Sequence, residues 1–324
     1  MTPDLRPFAF EGLQKLLRGR RVLITGAGKH GGLGQAMAFA ATMAGAESIG
    51  VHFRSSYADG LETVEAINAA GGNAFPVQAD VTSTSDIWAT RSHVIKRMGG
   101  KPPNLLICNS GLSERGYLLG RAPREQSGER PAMRRARARQ AFISDLSDSA
   151  RVVNTKVDGF LYLTHLWAGE ALHFGEDLQI LYISSRQAVD PGAGVPGYVL
   201  ANFGVLALPK ILRANLGKNA HQVSSSCLAL PFVRTSMTQA YADNPKVFGR
   251  WQPRMLEPTE FARAFLEVLR HPRESIDGQL LQLEVTAGEA DTVQTAWSRA
   301  ELKLQAQPLG PPPADAGHGA VIQA

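Results

Sequence analysis

The chain has 324 residues, 44% hydrophobic and 19% charged, with a formal net charge of +5. That is an ordinary globular composition, and an α/β domain of roughly 250 residues commonly folds as one unit, so one large core is within reach. No apolar run approaches the ~18 residues of a membrane span, the N-terminal segment lacks an export signal, and the basic balance comes without a nucleic-acid-binding motif; a cytoplasmic protein that binds neither membrane nor nucleic acid is expected.

Short β-rich apolar runs, at 21–27, 47–54, 73–81, 104–111, 178–185, 224–233 and 279–285, alternate with stretches of helical spacing at 32–45, 61–72 and 85–100. That rhythm predicts an α/β fold: a doubly wound parallel sheet of the Rossmann type with helices on both faces, a three-layer α/β/α sandwich. One domain is expected over 1–304, with an insertion at about 114–140 and a Pro-, Gly- and Ala-rich disordered tail over 305–324. Cys108 and Cys227 fall inside strand-like runs and no Cys/His cluster has ligand spacing, so neither a disulfide nor a metal site is expected.

Directly after the first run comes Thr25-Gly-Ala-Gly-Lys-His-Gly-Gly-Leu-Gly34, opening a helix. Glycines in that place let the backbone turn tightly and approach a pyrophosphate at the helix N-terminus, so Thr25, Gly26, Gly28, Lys29, Gly32, Leu33 and Gly34 are candidate nucleotide contacts. The second run ends in His52-Phe-Arg-Ser55. Where an NAD site offers a carboxylate to the ribose, Arg54 and Ser55 offer a guanidinium and a hydroxyl, which suits the 2′-phosphate of NADP(H).

These residues resemble the short-chain dehydrogenase/reductase family, from about Arg21 to about Val285. Asp80 and Val81 stand where that family places an adenine-contacting Asp. Asn109 to Gly111 resembles its Asn-Asn-Ala-Gly turn, and Val233 and Thr235 resemble the turn that meets the nicotinamide carboxamide, although the Gly expected after Pro231 is absent. The phosphate loop is two residues longer than the common form, around Lys29 and His30, which leaves open which glycines touch phosphate. Ser185 and Tyr198 are thirteen residues apart, the family's spacing between its serine and tyrosine. Its usual lysine, four residues after the tyrosine, is replaced by Asn202. Aligning Gly159 with the family's common glycine puts Lys156 where an asparagine is usual, an exchange similar to the ketoreductase domains of polyketide and some fatty acid synthases. The alternative is Asn154 in the old role with no catalytic lysine. The resemblance implies that Tyr198, its phenolate stabilised by the Lys156 cation, acts as acid and base, that Ser185 donates to the reacting oxygen, and that Asn202 orients Lys156 or a water; Lys156 and Tyr198 also adjoin the cofactor.

Eight arginines fall between Arg115 and Arg139, with Glu114, Glu125 and Glu129 as counterweights. The segment is either an anion-steering surface, for an acidic acyl carrier protein or coenzyme A, or a solvated loop or subunit contact. Phe248, Trp251 and Met255 either line a substrate lid or belong to the core. The expected function is an NADPH-dependent ketoreductase that converts a 3-oxoacyl thioester to its 3-hydroxyacyl form, assembled as a homo-oligomer. The alternatives are another ketone or secondary alcohol as substrate, or an NADP-binding protein with a non-redox role.

Overall fold

The computed structural model describes residues 3–114, 129–191, 194–242, 255–287 and 293–301. Seven strands run parallel: β1 (Arg21–Ile24), β2 (Ser48–Phe53), β3 (Ala74–Gln78), β4 (Leu105–Cys108), β5 (Leu178–Ser185), β6 (Val223–Leu230) and β7 (Leu280–Ala287). Their order is β3-β2-β1-β4-β5-β6-β7, and β8 (Val293–Ala300) pairs antiparallel to β7 at the edge. β1, β2, β4, β5 and β6 are buried at every position, as strands covered on both faces must be.

Parallel neighbours require crossover connections, supplied here by helices. α1 (Leu33–Met43), α2 (Tyr57–Ala69), α3 (Thr84–Arg97) and α4 (Pro131–Phe174) link the first five strands. α5 (Pro196–Val205) and α6 (Leu208–Leu216) precede β6; α7 (Gln239–Ala242), α8 (Pro258–Val268) and α9 (Arg273–Ile276) precede β7. Successive side chains of β1 point to opposite faces. Val22 and Ile24 join Met37 and Phe39 of α1 and Phe261 and Phe265 of α8 in one core layer. Leu23 joins Val94 of α3 and Phe160 and Trp167 of α4 in the other. This is the expected three-layer sandwich. Cys108 and Cys227 are buried and unpaired in β4 and β6.

Three features depart from the sequence expectations. β8 had no counterpart among the expected strands; most of its residues are exposed, and beyond its pairing along β7 it is tied to the body by Trp297, whose Nε1 donates to Ala264 O at 2.7 Å, and by Arg299, whose Nη2 donates to Ser275 O at 3.0 Å. The second half of the arginine-rich insertion is not a loop. Arg134, Arg135, Arg137 and Arg139 lie in the first turns of α4, a 44-residue helix about 66 Å long; residues 115–128 lie outside the described residues, as does the supposed tail. Third, the stretch Pro196–Asn219 does have the length and composition of a membrane span, with mean hydropathy 1.3 over its window. Its first helix, α5, packs on α4 and carries the polar Tyr198 and Asn202 of the candidate site, while Leu200, Phe203 and Ile211 of the same stretch are exposed.

The sheet reverses its winding between β1 and β4, which opens a crevice beyond their carboxyl ends. α4 borders that crevice at close range: a Cβ on Gly159 would lie 2.7 Å from Val81 Cγ2. Gly159→Ala is therefore expected to push α4 off the β3 end at a cost of about 1–3 kcal/mol, read as a lower urea midpoint; an unchanged midpoint would show that the contact is looser than it looks.

Candidate active site

The loop after β1 is built around close backbone approaches. Thr25 Oγ1 accepts from Asn109 N–H at 2.9 Å and Ser110 N–H at 3.1 Å, and Asn109 Nδ2 donates to Thr25 O at 2.9 Å. The two turns that flank the crevice are thus tied together. Gly26 has φ +65, and a Cβ on Gly34 would lie 2.4 Å from Gly26 O. Gly28 is pressed on Phe53, where a Cβ would meet the ring's Cβ at 2.5 Å. Gly26, Gly28 and Gly34 are therefore packing glycines. The open part of the loop is Lys29 to Leu33: Gly32 is the N-cap of α1, with no side chain capping that helix and no acidic residue in its first turn. A helix N-terminus left in that state fits a phosphate anion.

Arg54 and Asp80 meet at the far end of the crevice. Arg54 Nη1 lies 3.3 Å from Asp80 Oδ2, with both side chains partly exposed, while Asp80 Oδ1 accepts from Thr82 N–H at 2.9 Å and Thr82 Oγ1 at 2.7 Å. Burial raises the Asp80 carboxyl, but the Thr82 bonds and the Arg54 charge outweigh it and hold the group below the usual carboxylate range. Lys29 and Ser55 are exposed, Gly111 is partly exposed, and Val81 is buried against Gly159.

The four expected catalytic residues converge from three elements. Ser185, 7% exposed, ends β5; Lys156, 5% exposed, lies in α4; Asn202, fully buried, and Tyr198, partly exposed, lie on α5. Lys156 Nζ donates to Asn202 Oδ1 at 2.7 Å, and Asn202 Nδ2 donates to Tyr198 O at 2.8 Å. Nζ also lies 5.8 Å from the Tyr198 ring centroid and 5.7 Å from that of Phe160, within the range of cation–π attraction. Asn154 is exposed, so of the two alignments the one through Gly159 puts its polar side chain beside the tyrosine. Burial pulls the Lys156 ammonium down from 10.5 to about 8. Burial raises the Tyr198 phenol, and Ser185 and Asn202 pull it part of the way back.

The short chain dehydrogenase family model matches residues 20–246. The chain belongs to the short chain dehydrogenase family. Among curated relatives, it is 23% identical over 223 residues to 2-dehydro-3-deoxy-D-gluconate 5-dehydrogenase of Escherichia coli, covering 69% of this chain and 75% of that one. It is 38% identical over 211 residues to an uncharacterized oxidoreductase of Methylorubrum extorquens, covering 62% and 72%. Among solved structures, a short chain dehydrogenase from Burkholderia cenocepacia in complex with NADP aligns with a TM-score of 0.64 at 21% identity, covering 82% of this chain and 96% of that one.

Several residues of this dehydrogenase carry the site without having stood out in the sequence. Gly31, at φ +65, accepts from Ser236 N–H at 3.1 Å, joining the phosphate loop to the turn after β6. In that turn Thr238 Oγ1 accepts from Thr235 N–H at 2.9 Å and donates to Val233 O at 2.7 Å, which fixes its course despite Phe232 standing in place of glycine. Gly26 N–H donates to His52 Nδ1 at 3.3 Å, and burial pushes that imidazole down to about 4, so it stays a neutral acceptor beneath the loop. Glu114, noted in the sequence only as a counter-charge, is 8% exposed and accepts from Tyr198 N–H at 2.7 Å. Met255, one of the three candidate lid residues, is buried against Ala242 and Phe232 and belongs to a small core; Phe248 and Trp251 lie outside the described residues.

The depressed Lys156 value makes stability depend on pH. Below about pH 8 both folded and unfolded chains carry the proton, and folding bears the full cost of burying the charge. Between about 8 and 10.5 the unfolded chain keeps the proton while the folded one releases it, so stability rises with pH. Unfolding free energies from urea titration should therefore climb across that window in the wild type relative to Lys156→Met, by no more than about 3.5 kcal/mol; parallel curves would contradict burial of the charge.

Proposed function

We propose that this chain interconverts a ketone and a secondary alcohol with NADP(H), on a substrate that carries negative charge. The observation that carries the chemistry is the 2.7 Å bond from Lys156 Nζ to Asn202 Oδ1 directly against Tyr198. A phenol of ordinary pKa near 10, raised further by burial, is a weak acid whose phenolate is scarcely populated at neutral pH. The Lys156 charge stabilises its phenolate, and Asn202 holds that charge in place from the same helix as the tyrosine. A protein that kept the nucleotide site without turnover would have no use for a buried ammonium at this cost.

When bound, NADPH supplies a hydride to the carbonyl carbon. Tyr198 gives its proton to the forming alkoxide, Ser185 donates a hydrogen bond to the same oxygen, and Lys156 returns a proton to the phenolate, with Asn202 holding its ammonium. In the oxidative direction the proton runs back along the same groups. The residues fit the cofactor along the whole crevice: the uncapped start of α1 and the Gly31–Gly32 backbone for pyrophosphate, Arg54, Ser55 and Lys29 for the 2′-phosphate, Asp80 and Val81 for adenine, and Val233 and Thr235 for the carboxamide. Asn109 and Gly111 line the middle. The NADP complex of the Burkholderia neighbour agrees with the choice of dinucleotide.

Two substrate classes meet the description. The Lys156–Asn202 exchange favours a 3-oxoacyl thioester on coenzyme A or an acidic carrier protein, for which Arg134, Arg135 and Arg139 on the exposed start of α4 form a steering surface. The similarity to the Escherichia coli 2-dehydro-3-deoxy-D-gluconate 5-dehydrogenase favours a sugar acid oxidised at a secondary alcohol. NADPH oxidation with acetoacetyl-coenzyme A and an acetoacetyl carrier protein, and NADP+ reduction with 2-dehydro-3-deoxy-D-gluconate, decide between them. In whichever assay turns over, Tyr198→Phe should abolish turnover and leave the NADPH dissociation constant within about twofold; a variant with full turnover would remove Tyr198 from its role.

A further inference from the structure

Tyr198 is gripped through its backbone as well as through its ring. It is the third residue of α5, so its N–H has no partner within the helix and must find one outside it. The N-cap residue Val195 provides no side-chain cap, being apolar, and it sits at φ 54, ψ 55, a left-handed conformation that costs a β-branched residue about 1–3 kcal/mol. The missing cap comes from another part of the chain. Glu114, in the loop after β4, reaches in: Oε2 accepts Tyr198 N–H at 2.7 Å, and Oε1 accepts the Ser149 hydroxyl in a short hydrogen bond.

Ser149 and Lys156 are seven residues apart on α4, two turns, and so lie on one face of that helix. One face of α4 thus holds Tyr198 at two points. Ser149 does so through Glu114 to the Tyr198 N–H, and Lys156 does so through Asn202 to the Tyr198 carbonyl. Gly197 closes the gap, since a Cβ there would lie 2.8 Å from Ser149 Cα and 3.0 Å from Glu114 Oε2. The carboxylate is therefore clamped between two helices, where charge-assisted bonds to a helix start are strongest.

We propose that Glu114 is a positioning residue for the acid–base step: it fixes the start of α5 against α4, and with it the place where the Tyr198 hydroxyl meets substrate. The proposal rests on Tyr198 being the acid–base group. Glu114 does not touch the reacting atoms; it acts through the Tyr198 backbone, so its removal should cost kcat and spare cofactor binding.

Glu114→Ala, Glu114→Gln and Tyr198→Phe test this, with kcat, KM and NADPH affinity measured in the turnover assay above and hydrogen–deuterium exchange measured at the start of α5. A misplacement of about 1 Å can cost on the order of 100-fold in rate, and a loss of at least about 10-fold in kcat is expected for Glu114→Ala, with NADPH affinity within about twofold and faster amide exchange at Tyr198. Glu114→Gln keeps an oxygen for Tyr198 N–H and can donate its amide to Ser149, so it should retain kcat within about threefold. Should Glu114→Ala not fold, Glu114→Asp replaces it, because one methylene less cannot span both partners and the same loss is expected. Wild-type kcat in Glu114→Ala or Glu114→Asp, unchanged exchange at Tyr198, or a Gln variant as impaired as the Ala variant would overturn the proposal. A fully active Tyr198→Phe would sink the reading of the tyrosine itself, which is a different failure from an inactive Tyr198→Phe beside a fully active Glu114→Ala.

Discussion

A lysine ammonium buried with one hydrogen bond governs the arrangement of this site. Moving such a charge out of water costs several kcal/mol even after relaxation, and among the described residues no carboxylate pairs with Lys156. What offsets the cost is partial: the Asn202 carbonyl oxygen at 2.7 Å and the faces of Phe160 and Tyr198. Burial still lowers its pKa to about 8, so the compensation is incomplete. Such a burial lowers stability, so the proposed acid–base chemistry gives this lysine a use that packing does not. The surroundings follow from it. Asn202 must be fully buried with its oxygen on Lys156 and its amide on the Tyr198 carbonyl, α5 must lie across α4, and α4 must come close enough to the sheet that only glycine fits at Gly159.

The start of α5 carries backbone strain of a kind that the nucleotide half does not. At the phosphate loop, positive φ falls on Gly26 and Gly31, which tolerate it. Before α5 it falls on Val195, which does not, and the helix start is secured by the distant carboxylate of Glu114 instead of by a local cap. Strained backbone beside Tyr198 is paired here with side chains, Glu114 and Asn202, that hold that residue at its N–H and its carbonyl.

The sheet, the crossover helices and the phosphate loop were legible in the sequence because their signals are local: continuous apolar runs, helical spacing and a glycine pattern at a strand-to-helix turn. Lys156 came from the resemblance and not from a local signal: aligning Gly159 with the family's common glycine singled it out over Asn154, and the structure places Lys156 beside Asn202 and Tyr198 while Asn154 is exposed. Glu114 was not legible, since its partners Ser149 and Tyr198 are 35 and 84 residues away and nothing in its neighbourhood distinguishes a buried cap from a solvated charge. β8 escaped notice because an edge strand that shows most of its residues to solvent has little apolar alternation to read. The arginine-rich start of α4 read equally as a loop, because exposed helical turns rich in arginine bury no stripe that would reveal their period.

In the proposed site the cation serving Tyr198 is delivered by α4 and held by α5, the reverse of the arrangement usual in the family. Turnover in Lys156→Asn, Asn202→Lys and the double exchange tests this most directly. Each single variant is expected to lose on the order of 100-fold in kcat, and the double variant, which restores an ammonium on the opposite helix, to recover at least about a tenth of wild-type kcat. Wild-type turnover in Lys156→Asn alone would contradict it.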